Sequence, residues 1–276
     1  MRSVKQAQQR PVYDIELVDK VVQVLEALRD APEGVTLQAM ATRTGYVKSS
    51  IHRILANLKW HGYVEQPVAG GPYRLGIKCL LLVRAWQDGI ELVRYARPFL
   101  REIVDTFDEN AYLSVLRGGR GVFVEMCGAR RRELRLVRPL GRDATYHAGA
   151  AGKLYAAHLP PALRATLLGR IELKAQTPRT RTRPAEVEAE WNAVARRGIA
   201  INDEETIIGA VFLAAPIFDA ERAICAAITV GVPKARYTAG VRRSLATRLK
   251  EVCGRLSDTL AEAAYVHQDR QLRELG

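Results

Sequence analysis

Three short helical segments near the start of the chain, separated by helix-breaking residues, restrict its fold most. Apolar residues recur at helical spacing from Val18 to Leu28, and the pattern stops at the breaker cluster 30–34. Thr36 is a suitable N-cap for a second short helix, and Gly45 stands where a helix ends in a left-handed residue. A third helix is predicted to begin around 47–48. Two short helices joined by so tight a turn indicate a helix-turn-helix.

The third helix and the glycines after it complete a small domain. Its core-facing stripe is predicted to consist of Ile51, Ile54, Leu55 and Leu58. After Gly62, residues 63–66 and 72–75 are typical of two short strands around Gly70 and Gly71, where a hairpin needs positive φ. Three helices and a hairpin predict a winged helix-turn-helix.

The outward face of the third helix is short, polar and basic. In a helix-turn-helix the second helix can lie in the major groove, where its first side chains meet base edges and phosphates. We therefore predict contacts to double-stranded DNA from Thr36, Tyr46, Lys48, Ser49, Ser50, His52, Arg53 and, on the wing, Arg74. The alternative is that this unit binds protein, with Lys48 and Arg53 forming only a solvated face.

The pattern changes in the second half of the chain. Residues 76–94 resume helical spacing, and a helix led by Pro98 is predicted to follow. Further strands are expected at 111–116, 122–126, 133–137, 209–218 and 223–230, and further helices at 149–158, 161–168, 184–196 and 238–268. Strands, then helices, then strands again favour an α+β domain with a central antiparallel sheet.

Composition narrows the class of protein. A net charge of +12 favours an anionic partner, nucleic acid first. The arginine-rich stretches 130–142 and 179–183 are predicted to serve mainly solubility; the alternatives are that they hold DNA phosphate or bind an acidic effector or an acidic neighbouring subunit. No apolar run approaches the roughly 18 to 20 residues of a membrane span, and the start lacks a secretory signal, so we predict a cytoplasmic protein. The four cysteines form no CxxC pair, and we predict no metal site and no cofactor.

Stretches in both halves of the sequence resemble one known family. The stretch GVTLQAMATRTGYVKSSIHRILANLKWHGYVEQPVAGGPYRLG at 34–76 is similar to the DNA-binding domain of the IclR (isocitrate lyase regulator) family, with its K-S-T-x-H-R-L-L run and Y-R-L-G wing. HAGAAGK at 147–153 and GIAINDEETIIGAVFLAAPIFDAERAICAAITVGVP at 198–233 resemble the family's second half. The resemblance covers nearly all of the chain past residue 14.

This resemblance implies a two-domain regulator. It implies a winged helix-turn-helix at 14–77, a linker helix at 78–94 and a GAF-like effector-binding domain at 95–270. It also implies a homodimer or homotetramer on a palindromic operator. The effector site would be lined by Ala150, Ala151, Gly152, Asn202, Asp203, Ala210, Phe212 and Thr229. Asn202 stands where the family usually has Asp, and Phe212 where many members have a smaller residue.

The small-residue turn at 149–152 also permits an argument from physical chemistry. A helix opening with these residues leaves backbone N–H groups accessible at its positive end, which suits an organic or aromatic acid. The alternative is that the small residues only allow close packing of the helix on the sheet. Asp203-Glu204-Glu205 is interpreted as a solvated turn or loop anchor, and we predict no catalytic residues.

The sequence is compatible with three functions, and each predicts a different experimental result. A ligand-responsive transcriptional regulator is our prediction. The rival is a small-molecule-binding enzyme or sensor whose winged helix binds protein, and turnover of an organic acid without DNA would favour it. An architectural DNA-binding protein would show no thermal shift with any metabolite, because only a ligand that binds the folded state raises the melting temperature.

Overall fold

The chain forms two compact units that divide after Trp86. The computed structural model describes residues 15–88, 91–117, 119–137 and 139–267. The outer limits predicted for the domains, residues 14 and 270, lie outside these ranges, as does Gln268 at the predicted end of the last helix.

The first unit is the expected winged helix-turn-helix. Its elements are α1 (Glu16–Arg29), α2 (Leu37–Thr44), α3 (Lys48–Trp60), β1 (Val64–Glu65) and β2 (Arg74–Leu75), followed by α4 (Lys78–Asp88). The two strands pair antiparallel, and an isolated bridge joins Val35 to Tyr73. Apolar side chains from all three helices are fully buried between them, among them Val24, Met40, Ile51 and Leu55.

Both predicted ends of α2 are confirmed. The Thr36 hydroxyl accepts a hydrogen bond from the Ala39 N–H at 3.2 Å, which satisfies one of the free amides at the start of α2. Gly45 ends α2 with φ of 74°, and its N–H donates to the Ala41 carbonyl. These two contacts set the turn that separates α2 from α3.

The second unit is built on one antiparallel sheet. Its elements are α5 (Glu91–Phe107), β3 (Ala111–Arg117), β4 (Arg120–Cys127), α6 (Ala150–Ala157), α7 (Pro161–Arg170), α8 (Pro184–Arg197), β5 (Ala200–Asp203), β6 (Ala210–Phe218), β7 (Ile224–Pro233) and α9 (Ala239–Glu262). The strand order is β4-β3-β7-β6-β5. The predicted α+β domain with a central antiparallel sheet is therefore confirmed.

Side chains alternate between the two covered faces of this sheet, because successive residues of a strand point to opposite sides. Val211 and Leu213 pack with α5 and α9, and we call this side the α9 face. Phe212 and Ala214 pack with α6 and α8, and we call this side the α6 face. The sheet thus separates two different apolar clusters.

Several predicted boundaries in the second unit are wrong. Pro98 lies inside α5 and does not lead it, because the buried residues of this helix begin before the proline at Leu92. The last helix ends at Glu262, where Ala264 adopts a positive φ and the Tyr265 N–H bonds to the Leu260 carbonyl. The strand β5 was absent from the sequence-based prediction.

The segment 133–137 does not form the predicted strand. Only one of its three apolar side chains packs inward. Leu136 contacts the α6-face cluster, whereas Leu134 and Val137 are exposed. The Leu136 carbonyl accepts hydrogen bonds from the Tyr112 hydroxyl and the Asn110 amide, at 2.6 and 2.8 Å. The segment therefore crosses the α6 face as a loop.

Cys127, Cys225 and Cys253 are buried, whereas Cys79 is half-buried. Within the described ranges, every helix is too short or too polar to cross a membrane.

Candidate functional site

The start of α3 presents its polar side chains outward. Lys48, Ser49, His52 and Arg53 are exposed, while the opposite side of the helix is packed into the core of the unit. The structure therefore brings these four predicted DNA contacts together on one solvent-facing surface, which we call the α3 surface.

The other predicted DNA contacts have structural partners. Tyr46 is half-buried, and the Lys20 ammonium lies 5.4 Å from the centre of its ring. The Arg74 Nε donates to the Glu33 carbonyl at 3.1 Å and its guanidinium lies 3.9 Å from the Glu33 carboxylate. The Thr36 hydroxyl caps α2, as described above, and Ser50 is half-buried. Thr36 is exposed and Arg74 is half-buried, so their contacts to DNA stay predictions.

Most of the predicted effector residues meet on the α6 face. Ala150 and Ala151 of α6 belong to the same buried cluster as Ala210 and Phe212 of β6. Thr229 pairs with Ala214 across the sheet and so points to the same side. The Phe212 ring lies over Gly231, where an added Cβ would come within 2.8 Å of it.

Asn202 and Asp203 are placed differently. The Asn202 amide accepts from the Glu205 N–H at 2.8 Å and donates to the Thr206 hydroxyl at 2.7 Å, so both of its ends hold the β5–β6 loop. Asp203 pairs with Val211, on the other side of the strand, and its carboxylate lies 2.5 Å from the Lys234 ammonium. Asp203 therefore does not join the residues on the α6 face.

The glycines around the start of α6 have a packing role. An added Cβ at Gly152 would collide with the Thr145 carbonyl oxygen, and one at Gly149 would lie 2.9 Å from the same atom. All residues of α6 are buried. Close packing against Thr145 thus explains why small residues are needed here, independently of any ligand.

The sequence-based prediction missed a buried ion-pair network beneath these residues. Lys153 of α6 is 0% exposed, and its ammonium lies 2.5 Å from the Glu205 carboxylate and 2.9 Å from the Ile201 carbonyl. Arg181 contacts the second oxygen of Glu205 at 2.8 Å. Burial lowers the pKa of Lys153 below its ordinary value, and the charge of Glu205 opposes this shift.

This network also corrects one alternative for the acidic turn. Glu204 and Glu205 are both buried, so they do not form a solvated turn. Glu204 accepts from the Gly209 N–H at 2.8 Å, and its backbone carbonyl accepts from the Thr177 hydroxyl. Both residues anchor the β5–β6 loop. The spacing of apolar residues in the sequence could not have predicted the burial of Glu204 and Glu205, because their partners come from distant parts of the chain.

Two hydroxyl groups in this part of the molecule are buried without a hydrogen-bond partner among the described residues. They are Thr229 Oγ1 and Thr145 Oγ1, the first on β7 and the second beside the start of α6. Leaving a buried hydroxyl unpaired costs about 1–3 kcal/mol. A polar ligand atom at the α6 face would remove that cost.

Comparisons with known proteins agree on one family. Residues 17–67 match the IclR helix-turn-helix domain, and residues 85–258 match the domain described as bacterial transcriptional regulator IclR C-terminal. The glycerol operon regulatory protein of Streptomyces griseus is 31% identical over 81% of this chain and 87% of its own length.

Solved structures share the fold over most of both chains. IclR of Thermotoga maritima is 22% identical with a TM-score of 0.74, covering 90% of this chain and 100% of its own. An IclR homologue from Microbacterium hydrocarbonoxydans, solved with 4-hydroxybenzoate, is 22% identical with a TM-score of 0.72, covering 90% and 99%. Since the two family domains together span most of the sequence, the chain belongs to the IclR family of bacterial transcriptional regulators.

Proposed function

We propose that this regulator binds a palindromic operator as a homodimer or homotetramer, with α3 as its recognition helix. The observation that carries the proposal is the α3 surface: Lys48, Ser49, His52 and Arg53 are exposed at the start of a helix whose other side is buried. This arrangement suits insertion into the major groove, where Lys and Arg meet guanine acceptors or phosphates.

Exposed apolar side chains support self-association. On α4 and just before it they are Ile77, Leu80, Leu81, Leu82, Val83 and Trp86; on α1 and just before it they are Ile15, Leu17, Val18 and Val22. Exposed apolar surface of this extent marks an interaction site. A second copy of the chain is the proposed partner, because a two-fold symmetric dimer matches the two half-sites of a palindrome.

The proposed effector is a small organic or aromatic acid bound at the α6 face. The unpartnered Thr229 and Thr145 hydroxyls can hydrogen bond to its polar atoms, and the amino end of α6 favours a negative charge. The 4-hydroxybenzoate bound by the Microbacterium relative belongs to this class of compound. Phe212, with its ring over Gly231, restricts the size of the acid.

The effector controls DNA affinity only if it binds two arrangements of the dimer unequally. A coupling free energy of roughly 1–3 kcal/mol gives a response of about 5- to 150-fold. The chain acts by binding and does not transform the acid; incubation of the protein with the acid, followed by NMR, should leave the acid unchanged.

The DNA proposal is tested with a fragment recovered by genomic pull-down. Lys48→Ala and Arg53→Ala should each weaken specific binding by about 1–3 kcal/mol in a gel-shift titration, since each removes a base or phosphate contact. Lys59→Ala, an exposed lysine in the last turn of the same helix, is the matched control. Affinity that falls equally in all three variants would contradict the recognition-helix assignment.

The effector proposal is tested by thermal shift with benzoate and 4-hydroxybenzoate. Either acid should raise the melting temperature, and the rise should grow with the logarithm of the acid concentration once this exceeds Kd. Thr229→Val removes the unpaired hydroxyl at nearly constant volume and should reduce the shift. A shift that is the same in this variant would place the acid elsewhere.

A further inference from the structure

A cavity of about 180 Å³ lies on the opposite side of the sheet from the proposed effector site. It is formed where the end of α5, the end of β7 and the first turns of α9 meet. Its apolar wall consists of Phe107, Val232, Val241 and Leu245. Val232 and Leu245 belong to the buried cluster of the α9 face, so the cavity is separated from Phe212 by the sheet itself.

Charged side chains surround the mouth of this cavity. Glu109, whose side chain is only 4% exposed, lies 3.1 Å from the Arg132 guanidinium and 2.8 Å from that of Arg236. Asp108 lies beside them, 3.4 Å from Arg132, and accepts from the Arg130 and Arg131 backbone N–H groups. The amino end of α9, capped by Thr238, adds further positive potential.

The guanidinium groups retain donors for a ligand. A guanidinium carries five N–H donors. In the hydrogen bonds among the described residues, Arg236 uses its Nε and Nη2 on Glu109 and the Leu134 carbonyl, while Arg132 uses its Nη1 on Glu109. Among the described residues, Nη1 of Arg236 and Nη2 of Arg132 make no hydrogen bond, so these two donors are available to a second carboxylate.

The size and lining of the cavity define the class of ligand. A dry apolar cavity of about 150 Å³ in another protein accommodates benzene. The present cavity can therefore accept one six-membered ring or a short alkyl chain against Phe107, Val232 and Leu245. A carboxylate on that group would lie at the mouth, where the guanidiniums offer charge-assisted hydrogen bonds.

We infer that this cavity is a second small-molecule site, which binds a compact monocarboxylic acid with an apolar body. The site is independent of the proposed effector site and contains none of its residues. A regulator with two such sites would respond to two acids, or to one acid at two concentrations.

Methyl NMR of the full chain with benzoate as the probe tests this inference. Benzoate should move the methyl resonances of Val232 and Leu245 saturably. Binding at the α6 face would instead move those of Leu154 and Leu116, which pack there. The two sites are thus distinguished in one titration, and failure of one leaves the other measurable.

Two variants fill the cavity from its partly exposed rim. Val241→Trp and Thr106→Trp should abolish the Val232 and Leu245 shifts, whereas Ser244→Trp, on the exposed side of α9, should retain them. Benzyl alcohol, with the same ring and no charge, should bind at least roughly tenfold more weakly, as expected for the loss of a charge-assisted hydrogen bond.

Three results would overturn the inference. They are the absence of saturable shifts at Val232 and Leu245 in the wild-type protein, shifts that persist in both filled variants, and benzyl alcohol binding as tightly as benzoate. The last result would exclude the carboxylate as the recognised group.

Discussion

Two lysines near the starts of two helices have opposite environments. Lys48 begins α3 and is exposed, whereas Lys153 lies in the first turn of α6 and is fully buried. The Lys153 ammonium contacts the Glu205 carboxylate, 52 residues further along the chain, and the Ile201 carbonyl. The residues after Lys48 are polar, whereas those around Lys153 are small or apolar, and the fold brings charged and carbonyl partners only to Lys153.

This difference separates a binding group from a structural one. An exposed ammonium keeps its hydration and can exchange water for a phosphate or a base. A buried ammonium is retained only if carboxylates and carbonyls replace the lost water. Lys48 is therefore available to DNA, while Lys153 joins α6 to the β5–β6 loop.

The largest expected effect comes from removing the buried charge. Lys153→Met leaves Glu205 desolvated with only Arg181 beside it, and we expect a loss of about 3–5 kcal/mol in the free energy of unfolding. Urea denaturation measures it. Lys48→Met is the control and should change stability by less than about 0.5 kcal/mol, as is usual for a surface position.

Equal stability of the two lysine variants would mean that Lys153 is solvated in solution. A double variant, Lys153→Met with Glu205→Gln, sharpens the comparison. It should recover part of the lost stability, because an uncharged pair does not leave one ion buried alone.

The next largest change in stability is expected from substituting two glycines with opposite surroundings. Gly152→Ala should destabilise the chain by about 1–3 kcal/mol, because the added methyl meets the backbone of Thr145, which cannot turn away as a side chain would. Gly254→Ala, in the exposed middle of α9 with open space around it, should stabilise the chain by up to about 1 kcal/mol through helix propensity. Thermal or urea unfolding checks both signs, and a tolerated Gly152→Ala would show that α6 can move away from Thr145.

The smallest effect concerns a helix cap in the DNA-binding unit. Thr36→Ala removes the acceptor for the Ala39 N–H and should lower stability by about 1 kcal/mol. Thr42→Ala removes an exposed hydroxyl within the same helix, which only bonds back to the Gln38 carbonyl, and should be nearly neutral. If the two threonine variants unfold at the same urea concentration, the cap does not stabilise α2.

The winged helix could be predicted almost residue by residue, because its signals are local. Helical spacing gave α1 and α3, and the N-cap at Thr36 and the left-handed Gly45 gave both ends of α2. The strands β6 and β7 were also predictable, since long apolar runs around the turn at Asp219 permit few other structures.

The remainder depends on contacts between distant residues. The helix α5 continues through Pro98 because its apolar side chains are buried both before and after the proline. Helical periodicity in the sequence instead placed the start of this helix at Pro98. The alternation at 133–137 suggested a strand, yet no strand of the described sheet pairs with it. The Lys153–Glu205 pair left no local signal, because a buried ion pair depends on the tertiary fold for its partner.

The buried cysteines make the second unit resistant to thiol reagents as long as it stays folded. Burial raises the pKa of Cys253 to about 12 and raises that of Cys225 as well, so neither supplies the reactive thiolate at neutral pH. Alkylation at these two positions then requires transient opening of the sheet and α9. Its rate, followed by mass spectrometry, measures how often the domain opens, in the native chain and without any introduced label.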